Sequence, residues 1–192
     1  MTGEVEVKAR VKDLEEFARR IERIGGKFVR EVTQEDLYFR HPFRNLKERD
    51  EALRLRREGR KYTLTFKGRR VGKGAKMREE LEVRVNDYSK MIKLLERLEF
   101  EKAFTIRKRR KEFALDGAAI ALDSVTGLGE FVEIEVMAVA EKDGRTRLRR
   151  MEALKTELFN MADRLGIPRG HLTTKSYLEL LTSKSSSSKP LR

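Results

Sequence analysis

Segment after segment of this chain alternates apolar with charged residues at a period of two. The polar positions are nearly all Glu, Asp, Arg or Lys. Successive residues of a β-strand point to opposite faces, so each segment predicts a strand with one apolar and one charged face. Val5 and Val7 oppose Glu4, Glu6 and Lys8, and Leu53 and Leu55 oppose Arg54 and Arg56. Leu81, Val83 and Val85 oppose Arg78, Glu80, Glu82 and Arg84. Ile120 and Leu122 oppose Asp123, and Val132, Ile134 and Val136 oppose Glu133 and Glu135. Strands are predicted over 4–11, 27–40 (one or two), 52–57, 61–67, 78–85, 103–115, 118–124 and 130–137. A single solvated face is ordinary in an antiparallel sheet, but such a face mixes Thr, Ser and Gln with its charges. A sheet closed around the charged faces would instead form a tunnel holding both signs of charge.

Helices supply the cover for the apolar faces. Asp13 caps one with the stripe Leu14, Phe17, Ala18, Ile21 and Ile24, stopped by Gly25-Gly26. Asp87 caps a second with Tyr88, Met91, Ile92, Leu95 and Leu98. A third is predicted at about 146–165, with Leu148, Met151, Leu154, Leu158, Met161 and Leu165 at helical spacing, and a short one at about 174–182. Residues 41–51 read as a polar connection and 68–76 as a flexible basic loop. The serine-rich tail 184–192 is expected to be disordered, leaving 1–183 as one domain. Segments 6–13 and 80–87 match in type at an offset of 74, each running into an Asp-capped helix. A duplicated sheet and a shared simple β-to-α pattern account for this equally well.

Composition narrows the chemistry. Lys and Arg total 45 against 32 Asp and Glu, a net charge of +13 over 192 residues, which calls for an anionic partner. With no cysteine, disulfide scaffolds, thiol catalysis and zinc fingers are excluded. His41 and His171 alone offer imidazole, too little for a histidine metal site or a catalytic triad. No apolar run approaches the roughly 18 residues that a membrane span needs, and residues 1–10 lack the apolar stretch of a signal peptide. A cytoplasmic protein without membrane contact is expected. One Gln and three Asn beside abundant Glu, Lys and Arg is a thermophile's pattern. Gly68-x-x-x-Gly72-Lys73 has the wrong spacing for a P-loop and lacks the Ser or Thr after Lys. The run Arg107–Lys111 is wholly basic, but with 7% aromatics and no Trp it has no stacking platform for RNA. Nucleic acid is therefore not the expected partner. A metal-free polyanion-binding module is the alternative of another class, and its binding would weaken steeply with salt.

Carboxylates repeated on one face, as in Glu4/Glu6 and Glu133/Glu135, suit hard cations such as Mg²⁺ that leave coordination places for water and phosphate. Arg54, Arg56, Lys67, Arg78, Lys108 and Arg110 suit phosphate oxygens. Acids for metal beside bases for phosphate are what phosphoryl and nucleotidyl transfer require.

These residues also fall into an ordered set of motifs. Glu4-x-Glu6-x-Lys8 resembles the ExExK signature of the CYTH superfamily, the triphosphate tunnel metalloenzymes. Gln34-x-Asp36-x-Tyr38-Phe39, Leu53-Arg54-Leu55-Arg56, Thr65-Phe66-Lys67-Gly68 and Arg78-Glu79-Glu80-Leu81-Glu82 follow in the family's order. So do Lys108-x-Arg110, Leu122-Asp123, Leu128-Gly129-x-Phe131-x-Glu133-Ile134-Glu135 and Ser176-Tyr177, and the resemblance spans residues 4 to about 182. It implies an α+β fold: an eight-stranded antiparallel closed β-barrel, a tunnel with a charged interior and helices packed outside. It implies a small-molecule triphosphate held with Mg²⁺ or Mn²⁺. Glu4, Glu6, Asp123, Glu133 and Glu135, joined by Glu80 and Glu82, would serve the metal. Lys8, Arg54, Arg56, Lys67, Arg78, Lys108 and Arg110 would hold phosphate, with Glu4, Glu6 and Lys8 at the catalytic centre. Lys108 and Arg110 are preferred over Arg107 and Arg109 because Phe113 then falls where the family has an aromatic. The family includes class IV adenylyl cyclases and thiamine, inorganic and RNA triphosphatases. The Gln34-x-Asp36-x-Tyr38 and LGxFxEIE motifs point toward the cyclase-like branch, so the expected reaction is ATP to cyclic AMP and pyrophosphate, with triphosphate hydrolysis as the alternative. The Met/Leu stripe of the 146–165 helix is read as packing on the sheet, a homodimer contact being the other use for it.

Overall fold

The structure is a computed structural model that describes residues 2–71, 77–139 and 144–187. Its elements in chain order are β1 (Thr2–Val11), α1 (Leu14–Arg23), β2 (Lys27–Arg40), β3 (Ala52–Glu58), β4 (Lys61–Val71), β5 (Met77–Val85), α2 (Tyr88–Arg97), β6 (Glu101–Leu115), β7 (Ala118–Val125), β8 (Gly129–Val139), α3 (Gly144–Arg164), β9 (Leu172–Thr173) and α4 (Tyr177–Ser187). The fold is α+β, and every strand pairing is antiparallel, in the order β5-β4-β3-β2-β6-β7-β8-β1-β9. Strand β1 also pairs with β5, Gly3 lying opposite Glu79 and Glu4 opposite Arg78. The sheet has nine strands where eight were expected, because β9 adds to β1 at Lys8 and Ala9.

Segment 27–40 is one strand, with irregular pairing to β6 at Phe28/Arg30 and Tyr38/Phe39. Strand β4 runs past Lys67 to Val71 with a register shift between Lys67 and Arg70. The first part of the predicted 68–76 loop is therefore strand, and 72–76 lie outside the described residues. Helix α4 continues to Ser187, so part of the expected tail is helical, and 188–192 lie outside the described residues.

Local chemistry explains the boundaries. The Asp13 and Asp87 carboxylates each accept from a backbone N–H three residues on, both at 2.9 Å. The β6–β7 hairpin turns on Asp116-Gly117, both at positive φ (48° and 81°), a turn whose twist matches its strands and which these two residue types tolerate. A Cβ at Gly26 would stand 2.3 Å from the Ile21 side chain, which ties the end of α1 to a residue without one.

The apolar faces go where the alternation sends them. Val5, Val7, Ile120, Leu122, Val132 and Ile134 meet Ala18 and Ile21 of α1, Leu154 and Leu158 of α3 and Leu165 just beyond it in the largest core. Each fully buried leucine of α3 contributes about 1.5–3 kcal/mol, whereas the side chains of Leu148 and Met151 lie outside the described residues. Leu37, Phe39, Leu53 and Leu55 meet Leu95 of α2 in a second core. A third cluster sits on the opposite face. Ile106 shares its face with Lys108 and Arg110, and Phe131 shares its face with Glu133 and Glu135. Both pack with Val125, Leu128 and Tyr177, so α4 lies against the charged face. No described helix is long and apolar enough to cross a membrane.

Candidate active site

Seven strands and the start of α4 converge on a cavity of about 200 Å³. Among the described residues its walls carry eight cations, Lys8, Arg54, Arg56, Lys67, Arg70, Arg78, Lys108 and Arg110. Against them stand six carboxylates, Glu6, Asp36, Glu80, Glu82, Glu133 and Glu135. A surplus of two positive charges in a half-enclosed space suits an anion that arrives partly neutralised by a metal.

The acidic wall comes from two neighbouring strands. In the β1–β8 register Glu6 lies opposite Glu135 and Lys8 opposite Glu133. Glu6, Glu133 and Glu135 each offer a carboxylate oxygen, and these atoms lie within 4.8 Å of one another. Lys8, 1% exposed, reaches Glu6 at 2.8 Å and Glu133 at 3.5 Å. Burial alone would lower the Lys8 pKa, but Glu6 and Glu133 reverse this and hold it raised. Burial alone would raise that of Glu133, but Arg110, Lys8 and Lys108 hold it well below the usual carboxylate range. Both groups are thus charged at neutral pH. Three carboxylate oxygen donors on adjacent strands fit Mg²⁺ or Mn²⁺. Glu4 lies next along β1, its backbone opposite Met137 and Arg78, while its side chain is outside the described residues.

The basic wall faces this triad from β3 to β6. Arg56 grips Asp36 with two hydrogen bonds, at 2.6 and 2.7 Å. Arg54 donates to the Thr65 hydroxyl at 3.2 Å. The Nε groups of Arg54 and Arg78 are buried without a hydrogen-bond partner. Unpaired buried donors are costly until an acceptor reaches them, and phosphate oxygens are acceptors of the right charge. Lys67 is paired with Glu80, and the Thr65 hydroxyl reaches Glu82 at 3.3 Å. Glu80 and Glu82 thus line the cavity but stand outside the three-carboxylate cluster.

Asp123 does not line the cavity; it anchors groups that do. Fully buried, it takes Arg110 on both oxygens (2.7 and 2.5 Å), Lys108 at 3.4 Å and the Tyr177 hydroxyl at 2.8 Å. Arg110 also reaches Glu133 at 2.8 Å. The Tyr177 ring has the Nζ of Lys8 at 5.5 Å and that of Lys108 at 5.0 Å from its centre, a favourable place for cations. Burial, with Glu133 and Asp123 nearby, raises the Tyr177 pKa, so its hydroxyl remains a donor. Burial and the adjacent Arg110 push Lys108 down to about 8, more than Asp123 and Glu133 restore. The face chosen for the basic run is the one found: Arg107 and Arg109 are exposed on the other side, paired with Glu35 and Glu31.

Five site contributors had no assigned role: Arg70, Glu179, Asp36, Tyr38 and Tyr177. Arg70, read as loop, donates to Asp50 at 2.8 Å and to both oxygens of Glu179 at 3.0 and 2.7 Å. Glu179 accepts from the Ser176 N–H at 2.7 Å while its own N–H donates to the Ser176 hydroxyl at 3.2 Å, a reciprocal cap. Arg70 thereby ties β4 to the start of α4. The Ser176-x-x-Glu179 spacing was the readable signal for that helix start. Asp36, Tyr38 and Tyr177 stood inside quoted motifs without a role, and all three line the cavity.

A family model for the CYTH domain matches residues 3–177. The chain belongs to the CYTH domain family. A Methanocaldococcus jannaschii protein, MJ0240, provisionally named an adenylate cyclase, is 36% identical over 179 residues, covering 92% of this chain and 97% of its own. The Aeromonas hydrophila adenylate cyclase CyaB is 26% identical over 180 residues, 92% of this chain and 87% of its own. The solved structure of PH1819 from Pyrococcus horikoshii OT3 is 35% identical, with a TM-score of 0.78 over 94% of this chain and 99% of that one. The CYTH match takes in every cavity residue through Tyr177 and stops two short of Glu179.

Proposed function

We propose that this CYTH protein is a divalent-metal-dependent enzyme acting on a triphosphate, and that its reaction is conversion of ATP to cyclic AMP and pyrophosphate. The observation that carries the reading is the Glu6/Glu133/Glu135 cluster facing an arginine- and lysine-lined cavity in which Arg54 and Arg78 hold unpaired buried donors. The adenylate cyclase names of the two curated relatives support the choice of reaction. The β1–β5 pairing is read as closing the eight long strands into a tunnel around the site.

In this reading Glu6, Glu133 and Glu135 hold Mg²⁺ or Mn²⁺, with Glu4 beside them. When bound, the metal neutralises charge growing on the phosphate oxygens. Arg54, Arg56, Lys67, Arg78, Lys108 and Arg110 grip the phosphates and fix the phosphorus in line with its attacker. Lys8 holds Glu6 and Glu133 together. Asp123 acts through Arg110, Lys108 and Tyr177, and Glu80 and Glu82 act through β4. In cyclisation the ribose 3′ oxygen bonds to the α-phosphorus and the bond to the β-phosphate breaks. The same cradle serves hydrolysis when water attacks the γ-phosphorus, and the product separates the two.

Anion-exchange chromatography after incubation with ATP, thiamine triphosphate or tripolyphosphate and Mg²⁺ or Mn²⁺ tests this. Cyclic AMP and pyrophosphate, absent in Glu6→Gln, are the expected products. Orthophosphate and a diphosphate would move the assignment to a triphosphatase. No metal-dependent product, with salt-steep polyanion binding, would favour a binding module.

A further inference from the structure

A second chamber of about 550 Å³ adjoins the first, sharing Arg56, Glu82 and Arg110 as its partition. Its size is that of a pocket for a small organic group. Gln34, the chain's one glutamine, lines it and is 1% exposed. The Gln34 Nε2 donates to Glu58, and its Oε1 is buried without a hydrogen-bond partner. Turning the amide over would set its carbonyl oxygen against the Glu58 carboxylate, two acceptors with no proton between them. Glu58 therefore fixes the amide with its acceptor unspent. Glu58 is itself held by Arg30 at 3.1 Å, and Arg30 also grips both oxygens of Glu112 at 2.7 and 3.0 Å. Arg56 and Arg110 in the partition are likewise committed, to Asp36 and to Asp123 and Glu133, while Arg60, Lys61 and Arg84, which also line the chamber, are exposed. A buried carbonyl oxygen repels the oxygens of an ionised phosphate; it suits an N–H or O–H.

We infer that the second chamber receives the organic part of the substrate, and that Gln34 Oε1 selects for it by accepting a hydrogen bond from an amine or hydroxyl. The substrate class is then an organic triphosphate bearing such a donor, with bare tripolyphosphate the poorer ligand. This rests on the reading that the first cavity holds the triphosphate. A site built to pair with a donor discriminates strongly against an analogue that lacks it, because its own polar group is left unpaired.

The test is calorimetric binding of ATP and of tripolyphosphate, each with Ca²⁺, alongside metal-dependent turnover of both, for wild type, Gln34→Leu and Glu58→Gln. Wild type is expected to bind ATP at least about tenfold more tightly than tripolyphosphate. Gln34→Leu should weaken ATP about tenfold and leave tripolyphosphate within about twofold, and Glu58→Gln, which frees the amide to turn, should give a smaller loss of the same selectivity. An equal loss for both ligands, or a wild type that prefers tripolyphosphate, overturns the assignment of Gln34 alone. A wild type that binds neither ligand overturns the triphosphate reading and this inference with it. If Gln34→Leu does not fold, Gln34→Asn and Glu58→Gln decide by the same ratio.

Discussion

The β1–α1 and β5–α2 units carry nearly the same pattern, 74 residues apart, and the molecule uses them differently. Val7 and Ala9 are 3% and 1% exposed, whereas their counterparts Leu81 and Val83 are 55% and 62% exposed. The difference lies in what covers them. Helix α3 lies against β1 and β8 beside α1, while the second core is backed by α2 and by Leu46 of the 41–51 connection. The charged faces diverge as well. Glu6 joins Glu133 and Glu135, but its counterpart Glu80 is spent on Lys67, and Lys8 is answered by Glu82. A shared β-to-α pattern therefore specifies local structure, and the neighbouring strands decide which copy gathers three carboxylates.

The largest expected contrast is catalytic. Glu6→Gln should lower kcat/KM for the best triphosphate by roughly a thousandfold, the worth of several kcal/mol of charge stabilisation. Glu80→Gln should lower it by roughly tenfold, since Glu80 acts through Lys67. Equal losses would erase the distinction between the two units.

The next contrast is in stability, read from urea unfolding. Ile21→Ala empties a fully buried place in the larger core and should cost about 2–5 kcal/mol. Leu81→Ala, at an exposed position, should cost less than about 0.5 kcal/mol. A large loss for Leu81→Ala would show that something does cover β5.

A third, smaller effect separates the two buried lysines flanking Tyr177. Lys8 faces carboxylates and stays charged, whereas Lys108 faces Arg110 and Arg56 as well as Asp123 and Glu133 and titrates at about 8. Tripolyphosphate affinity should therefore weaken about tenfold between pH 7 and pH 9.5 as the charge is lost, and Lys108→Arg should flatten the profile. The unfolded chain keeps this proton to its ordinary value of 10.5 while the folded one releases it at about 8. Through that window the unfolded state binds more protons, so Lys108's contribution to stability rises with pH. The smallest effect is at the caps: Asp13→Ala and Asp87→Ala should each lower the melting temperature by a few degrees, and by similar amounts, because both make the same 2.9 Å bond.

Much of this was legible because alternation is read directly from residue order. The caps, the Asp116-Gly117 turn and the pairing of an acidic wall with a basic one follow from local pattern, whereas the choice of Lys108 and Arg110 within the wholly basic run came from the family resemblance. What stayed hidden depends on partners distant in sequence. Arg70 lies between glycines and reads as loop, yet pairing opposite Arg78 and a contact with Asp50 extend β4 through it. An amphipathic stripe says that α4 buries one side but not against which surface, and here that surface is the charged one. Asp123 has the residue type of a metal ligand, and only its encirclement by Arg110, Lys108 and Tyr177 shows that it anchors cations.

The most direct measurement is Mn²⁺ binding, followed by electron paramagnetic resonance, in wild type, Glu135→Gln and Glu80→Gln. One specific site in wild type, lost in Glu135→Gln and kept in Glu80→Gln, is the predicted result. Undiminished binding in Glu135→Gln, or loss in Glu80→Gln alone, would contradict the placement of the metal between β1 and β8.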